Sequence, residues 1–296
     1  LETVLSINSI SKSYGAIHAL KNVSFDVPKG SVFGILGPNG SGKTTLLGTV
    51  LDVLKADAGS YQWLDGQPAA VARKQIGSLL ETPNFYHYMS AWDNLQISAA
   101  IKERGRHDRQ RVLEQVGLWE RRKSKFQTYS LGMKQRLAIA SALLGNPDVL
   151  VFDEPTNGLD PAGIAEIRDL IIQLNREGKT IIMASHLLDE VEKVCTHVAI
   201  LKKGDLLLSG KVDEVLVSED QIEISAADLH KLQELIKGMP GIHHVKAVNG
   251  GLILNCESNI GTTQVNEYCI KQGITLSHLL LRKKSLETKF IELTNK

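Results

Sequence analysis

No run of apolar residues in this 296-residue sequence is longer than four. A bilayer-spanning helix needs about 20 mostly apolar residues, so no membrane-crossing segment is expected. Cysteine is scarce: Cys195, Cys256 and Cys269 are an odd number at wide spacing. They fit neither a disulfide framework nor a zinc pattern and read as small buried hydrophobes in a reducing compartment. Neither sign of charge prevails, because 34 Lys and Arg against 33 Asp and Glu leave +1. The broad basic footprint of a nucleic-acid binder is missing, and no nucleic-acid partner is expected. The first residues, Leu1-Glu2-Thr3-Val4, show neither a basic stretch nor an apolar core, so no export signal is read there. Internal repeats and low-complexity tracts are lacking as well. What remains is ordinary globular composition, 43% hydrophobic and 23% charged, which excludes wholesale disorder. The length predicts about two domains.

Residues 3–36 read as strands, broken by the turn signal Pro28-Lys29-Gly30. A Gly-rich loop and a helix over about 43–54 follow, and residues 90–145 read as largely helical. The apolar run 149–153 has the texture of a strand buried on both faces. Asp160-Pro161 opens a helix as N-cap and first residue, Ile164, Ile167, Ile171 and Leu174 recur at helical spacing, and Gly178 is its stop. Residues 181–184 form another buried strand. Apolar strands alternating with helices predict a mostly parallel sheet covered on both faces.

The texture changes after about residue 212. Residues 221–225, 226–237, 243–248, 252–256, 262–272 and 274–281 read as strand, helix, strand, strand, helix, strand, which is the ferredoxin-like order. Ser225-Ala226-Ala227-Asp228 resembles a capping box, and Asn249-Gly250-Gly251 a hairpin turn. A last helix is read over 285–294. The expected division is 1–212 for the first domain and 218–296 for a small C-terminal α+β domain.

Gly37-Pro38-Asn39-Gly40-Ser41-Gly42-Lys43-Thr44 fits G-x-x-x-x-G-K-[ST] between a strand and a helix. The glycines let successive backbone N–H groups turn inward as an anion nest, to which the helix N-terminus adds its dipole. Lys43 would place its ammonium on the β- and γ-phosphates of a nucleotide, and the Thr44 hydroxyl is a ligand for Mg²⁺. Thr45 is counted with the nucleotide-binding residues.

A phosphate cradle without a base merely binds. Val149–Phe152 carries the chain through the sheet, and Asp153 and Glu154 emerge at the strand's carboxyl end, where α/β sheets place ligands. Asp153 would hold a water of the Mg²⁺ shell, and Glu154 would orient and deprotonate the attacking water. His186 follows the buried strand 181–184, at an end that should lie beside the nucleotide. Ser130 reads as the N-cap of an apolar helix through Leu137, Ala140 and Leu144. Its hydroxyl, the Gly132 amide and the helix dipole would make a further anion site.

Together, over residues 4 to about 212, these features resemble the nucleotide-binding subunit of ATP-binding cassette (ABC) transporters. The resemblance implies a P-loop NTPase core with an antiparallel β-subdomain and a helical subdomain at about 90–145. It implies that Tyr14 stacks on adenine and that His186 donates to the γ-phosphate and the water. Tyr129-Ser130-Leu131-Gly132-Met133 stands at the family's signature, which closes on the γ-phosphate bound by a second subunit. Asn157-Gly158-Leu159-Asp160 matches the loop linking the two sites across that interface. Glu81 stands where a Gln usually reaches Mg²⁺ and the membrane partner; with Leu131 and Met133 it departs from the family pattern. These variants resemble the bacitracin- and lantibiotic-resistance branch.

The implied protein is a Mg²⁺-dependent ATPase that powers an exporter of antibiotic, peptide or related compounds. It would act as a nucleotide-dependent homodimer, or as a heterodimer with a second ATPase subunit. It would sit on the cytoplasmic face of the membrane beside separately encoded permease subunits. The aromatics Phe85-Tyr86-His87-Tyr88 and Trp92 either meet the permease or are buried in the helical lobe. The alternative function is a non-transport ABC ATPase acting on a soluble assembly scaffold.

Overall fold

The structure is a computed structural model that describes residues 2–67, 69–80, 84–216, 221–257, 260–282, 286 and 290. Two compact units divide the chain, Leu1–Gly210 and Lys211–Lys296. In chain order the elements up to the boundary are β1 (Thr3–Tyr14), β2 (Ile17–Pro28), β3 (Val32–Leu36), α1 (Lys43–Val50), β4 (Ala58–Trp63), α2 (Ala69–Lys74), β5 (Ile76–Leu79), α3 (Ala91–Ile101), α4 (Arg109–Gln115), α5 (Leu131–Ala142), β6 (Val149–Asp153), α6 (Pro161–Arg176), β7 (Thr180–Ser185), α7 (Leu188–Val194), β8 (His197–Lys202) and β9 (Asp205–Lys211). Then come α8 (Val212–Leu216), β10 (Gln221–Ala226), α9 (Leu229–Lys237), β11 (Ile242–Val248), β12 (Gly251–Cys256), α10 (Thr262–Lys271) and β13 (Leu276–Arg282).

The first unit holds two sheets. β2-β1-β4 is antiparallel, and the six-stranded sheet runs β5-β6-β7-β3-β8-β9 with its first five strands parallel. Every residue of β3, β6 and β7 is buried. With both faces covered, their inner positions carry no polar side chain, and the buried polar groups Asp153, Thr180 and Ser185 stand at strand ends. Parallel register also brings the carboxyl ends of β3, β6 and β7 side by side. Phe152 is wholly buried in β6, so Phe152→Ala should cost about 3–5 kcal/mol of stability. A lowered urea midpoint would register it.

The helix expected over 43–54 stops at Val50. Asp52 takes a left-handed backbone (φ +63°), and the N–H groups of Val53 and Leu54 both turn back to the Gly48 carbonyl at 2.9 and 3.0 Å. These bonds close the helix end that the apolar spacing alone would have prolonged.

In the second unit the four strands lie antiparallel in the order β11-β12-β10-β13. With α9 and α10 this is the ferredoxin-like arrangement. Leu232 and Ile236 of α9 and Val265 and Cys269 of α10 share one core with Ile222, Ile224, Leu252 and Leu254 of the sheet. Gly250 takes φ +82° in the turn that joins β11 to β12. The N-cap of α9 lies at Asp228, three residues beyond the Ser225 expected from the sequence. Ser225 still pairs with His278 across the sheet and gives its hydroxyl to the Gly250 carbonyl (2.6 Å), while Asp228 caps α9 by accepting from the Lys231 N–H (2.9 Å). Ladder pairing extends β10 beyond the point where local propensity ended it. Of the helix read at 285–294, only residues 286 and 290 are described, both helical.

The three thiols are free; Cys195 and Cys269 are buried, whereas Cys256 is only partly so, which corrects its reading as a core residue. Burial raises the pKa of all three. No helix among the described residues is long and apolar enough to cross a membrane.

Candidate functional site

The turn from β3 into α1 has two positions, Gly37 and Gly42, whose backbone leaves no room for a side chain. A Cβ on Gly37 would stand 2.4 Å from both the Leu201 carbonyl oxygen and Ser41 Oγ. One on Gly42, where φ is +109°, would stand 2.4 Å from the Ala19 carbonyl oxygen. The loop is thus wedged between β8 and β2, and only glycine lets it pass. Ser41 Oγ is buried and has no hydrogen-bond partner among the described residues. An orphaned buried hydroxyl in a loop that opens a helix fits an anion, which would satisfy it.

Lys43, the first residue of α1, is 5% exposed. Its ammonium donates to the Gly37 carbonyl at 2.8 Å and stands 3.3 Å from Glu154 Oε1. The other oxygen, Glu154 Oε2, is 2.8 Å from His186 Nδ1. Three sequence-distant residues therefore form one chain of contacts across the ends of β3, β6 and β7. Glu154 reaches that position because its backbone is left-handed (φ +48°), with its N–H donating to the Ala184 carbonyl at 3.0 Å. Such a conformation costs a non-glycine residue free energy and concentrates at functional sites. Asp153, one residue earlier, stays in the sheet and is buried. Asp153 and Thr44 offer oxygen donors only, a set that suits Mg²⁺, which takes few protein ligands and completes its shell with phosphate and water.

A cavity of about 460 Å³ opens above this cluster. Asn39, Gly40, Gly42, Lys43, Thr44, Thr45 and Glu154 line one end, and Tyr14 lies on its wall, 47% exposed. Pro38 is exposed at the loop's crest.

Other predicted residues lie apart from it. Ser130 caps α5, accepting from the Met133 N–H at 3.3 Å, and is exposed. A Cβ on Gly132 would lie 3.9 Å from Leu159, and one on Gly158 would lie 3.1 Å from Leu131. The start of α5 thus abuts the 157–160 loop. Asp160 caps α6 by accepting from the Gly163 N–H at 2.9 Å. Neither Ser130, Gly132 nor Asp160 is among the cavity's lining. Glu81 lies outside the described residues. The aromatic cluster divides between its two readings: Phe85 packs edge-on to buried Phe126 (5.2 Å between centroids), while Tyr86 and Tyr88 are exposed.

The family description "ABC transporter" matches residues 20–157. The ABC transporter ATP-binding protein YdbJ of Bacillus subtilis (strain 168) is 36% identical over 299 aligned residues, covering 99% of this chain and 96% of its own. This chain belongs to the ABC transporter ATP-binding proteins. The bacitracin transport ATP-binding protein BcrA of Bacillus licheniformis is 35% identical over 303 aligned residues, with 99% and 98% covered. Among solved structures, a dimeric post-hydrolysis state of the ATP-binding cassette MJ0796 bound to ADP and phosphate superposes with a TM-score of 0.63. It is 27% identical and covers 70% of this chain and 98% of that one.

The protein is therefore an ATPase, the ATP-binding subunit that powers an ABC transporter, and such subunits work with separate membrane permeases. Four residues of its cavity carry no reading from the sequence: Ile17, His18, Ala19 and Lys203. Ile17, 70% exposed, and His18, whose Nδ1 is 2.9 Å from Ser13 Oγ, lie beside Tyr14 on one wall. Lys203 comes from the turn between β8 and β9. The exposed apolar Ile17 next to an aromatic was a usable signal. His18 in β2 and Lys203 in a turn carried none, since isolated polar residues near strand ends and in turns are ordinary.

Proposed function

We propose that this ATPase drives export of a peptide antibiotic or a related compound, with ATP held between two subunits. The contact chain Lys43–Glu154–His186 carries the catalytic part of that reading, because it sets a cation, a carboxylate and an imidazole around one point at the mouth of the phosphate loop. Lys43 would move its ammonium from the Gly37 carbonyl to the β- and γ-phosphates. The N–H groups of residues 39–45 would hold the remaining oxygens, with the Ser41 hydroxyl as a further donor. Thr44 and, through water, Asp153 would hold Mg²⁺, which neutralises phosphate charge when bound.

Glu154, released from Lys43, would accept a proton from the attacking water and orient it in line. His186 donates to the γ-phosphate through Nε2 only as imidazolium while Glu154 accepts from Nδ1, or as a neutral ring once Glu154 lets go. Tyr14 would stack on the base. Ser130 and the Gly132 amide, outside this chain's own cavity, would close on the γ-phosphate in the partner, with Asp160 at the same interface, while Glu81 would reach Mg²⁺ and the membrane partner. Two identical subunits suffice, and a related second ATPase subunit would serve equally. The subunit would sit on the cytoplasmic face of the membrane, where exposed Tyr86 and Tyr88 suit a permease contact.

The relationship to BcrA supports the class of cargo. Co-expression with its permease in a bacitracin-sensitive host should raise tolerance several-fold, and the Glu154→Gln pair should not. Unchanged tolerance from a pump that hydrolyses ATP would exclude this cargo.

A further inference from the structure

The cavity has one cation that the phosphate-loop mechanism leaves unused. Lys203 lines it from the turn after β8, the strand that flanks β3 on the side away from β7. Among the described residues it forms no ion pair. Its placement is fixed by backbone. Lys203 itself is left-handed (φ +49°), and Gly204 follows at φ +85°. The Gly204 N–H donates to the Ser41 carbonyl at 3.0 Å, and its carbonyl accepts from the Lys21 N–H at 2.9 Å. A Cβ on Gly204 would meet the His18 and Ala19 carbonyl oxygens at 2.8 and 2.9 Å. An ion pair of 2.7 Å between Lys21 and Asp205 closes the same corner. The turn is thereby tied at once to the phosphate loop through Ser41 and to the Tyr14–Ala19 wall through Gly204.

We infer that Lys203 is a nucleotide-binding residue whose ammonium meets the α-phosphate. The inference rests on the ATP-binding reading of this cavity. With the base against Tyr14 and the terminal phosphates at Lys43, the stretch between the two ends is the ribose and α-phosphate. That stretch passes the corner where the turn is tied to both walls. A flexible stem with a point charge suits a phosphate there. Its contact is the same for a di- and a triphosphate, and it does not change as the γ-phosphate leaves. Lys203 therefore contributes uniform binding, which appears in KM rather than in kcat.

The test is equilibrium binding of ATP, ADP and adenosine by the full chain and two variants, Lys203→Asn and Lys203→Arg. Asn tolerates the left-handed backbone, so the turn survives loss of the charge. Lys203→Asn should weaken ATP and ADP equally, by about three- to tenfold, flatten the salt dependence of ADP binding, and leave adenosine unaffected. Lys203→Arg should restore affinity to within about twofold. Affinities of Lys203→Asn that match those of the unaltered chain would overturn the assignment while leaving the ATP site standing. A loss confined to ATP would move the cation to the γ-phosphate, and an equal loss for adenosine would move it to the base; either overturns it too. Failure of the unaltered chain to bind ADP would overturn the assignment together with the reading beneath it.

Discussion

Glu154→Gln should lower the maximal rate of ATP hydrolysis about 10²–10⁴-fold, the range spanned by loss of a positioned general base. The amide keeps the shape and the left-handed turn but cannot take up the water's proton. Nucleotide affinity should not fall with it. In the free subunit the carboxylate stands 3.3 Å from the Lys43 ammonium, competing with phosphate for that cation, and when ATP is bound it faces the γ-phosphate with like charge. Removing the charge relieves both, so ATP should bind at least as tightly. Phosphate release followed in parallel with equilibrium binding separates the two effects. A variant that turned over ATP at the unaltered rate would take the base role away from Glu154. One that lost both binding and turnover would make the residue a support of the loop instead.

Ser130→Arg should abolish turnover, by at least about 100-fold, while binding of ATP to the isolated subunit stays within about twofold of normal. The divergence comes from where the residue sits. Ser130 caps α5 on an exposed surface and takes no part in lining its own chain's cavity. A long cation there cannot disturb that cavity directly, but it would block a partner's γ-phosphate from the helix start. Loss of the cap itself costs only about 1 kcal/mol, which Ser130→Ala measures separately. That milder variant should reduce turnover far less than Arg does. Equal turnover by Ser130→Arg and the unaltered chain in the assembled pump would remove the shared-pocket arrangement.

Much of this site was legible because its chemistry is local. The phosphate loop needs glycine where backbone approaches backbone, as Gly37 and Gly42 do. That demand leaves its mark as a fixed spacing of glycines ahead of Lys43. The β6 run with Asp153 as its last residue and Glu154 just beyond was equally plain, since a strand covered on both faces keeps carboxylates to its end. The second unit's strand and helix order was read from alternation, though its first cap was placed at Ser225 because local propensity cannot see the ladder partner at His278. The same limit made α1 too long: the bonds from Val53 and Leu54 to the Gly48 carbonyl are a geometric event without a residue pattern of their own.

The sequence by itself determined which groups are available: a loop that must cradle an anion, a cation, two carboxylates at a strand end, a capped helix and an aromatic. Those features are written in residue type and spacing along one stretch of chain. Only the tertiary structure decided which of them meet. It joined Lys43, Glu154 and His186 across three strands through a left-handed turn at Glu154, held Ser130 away from that cluster, and brought Lys203 to the cavity through one turn's backbone bonds. The physical reason is that parallel strands register side by side whatever their distance in sequence, so contacts between their ends follow from sheet order and not from any local pattern.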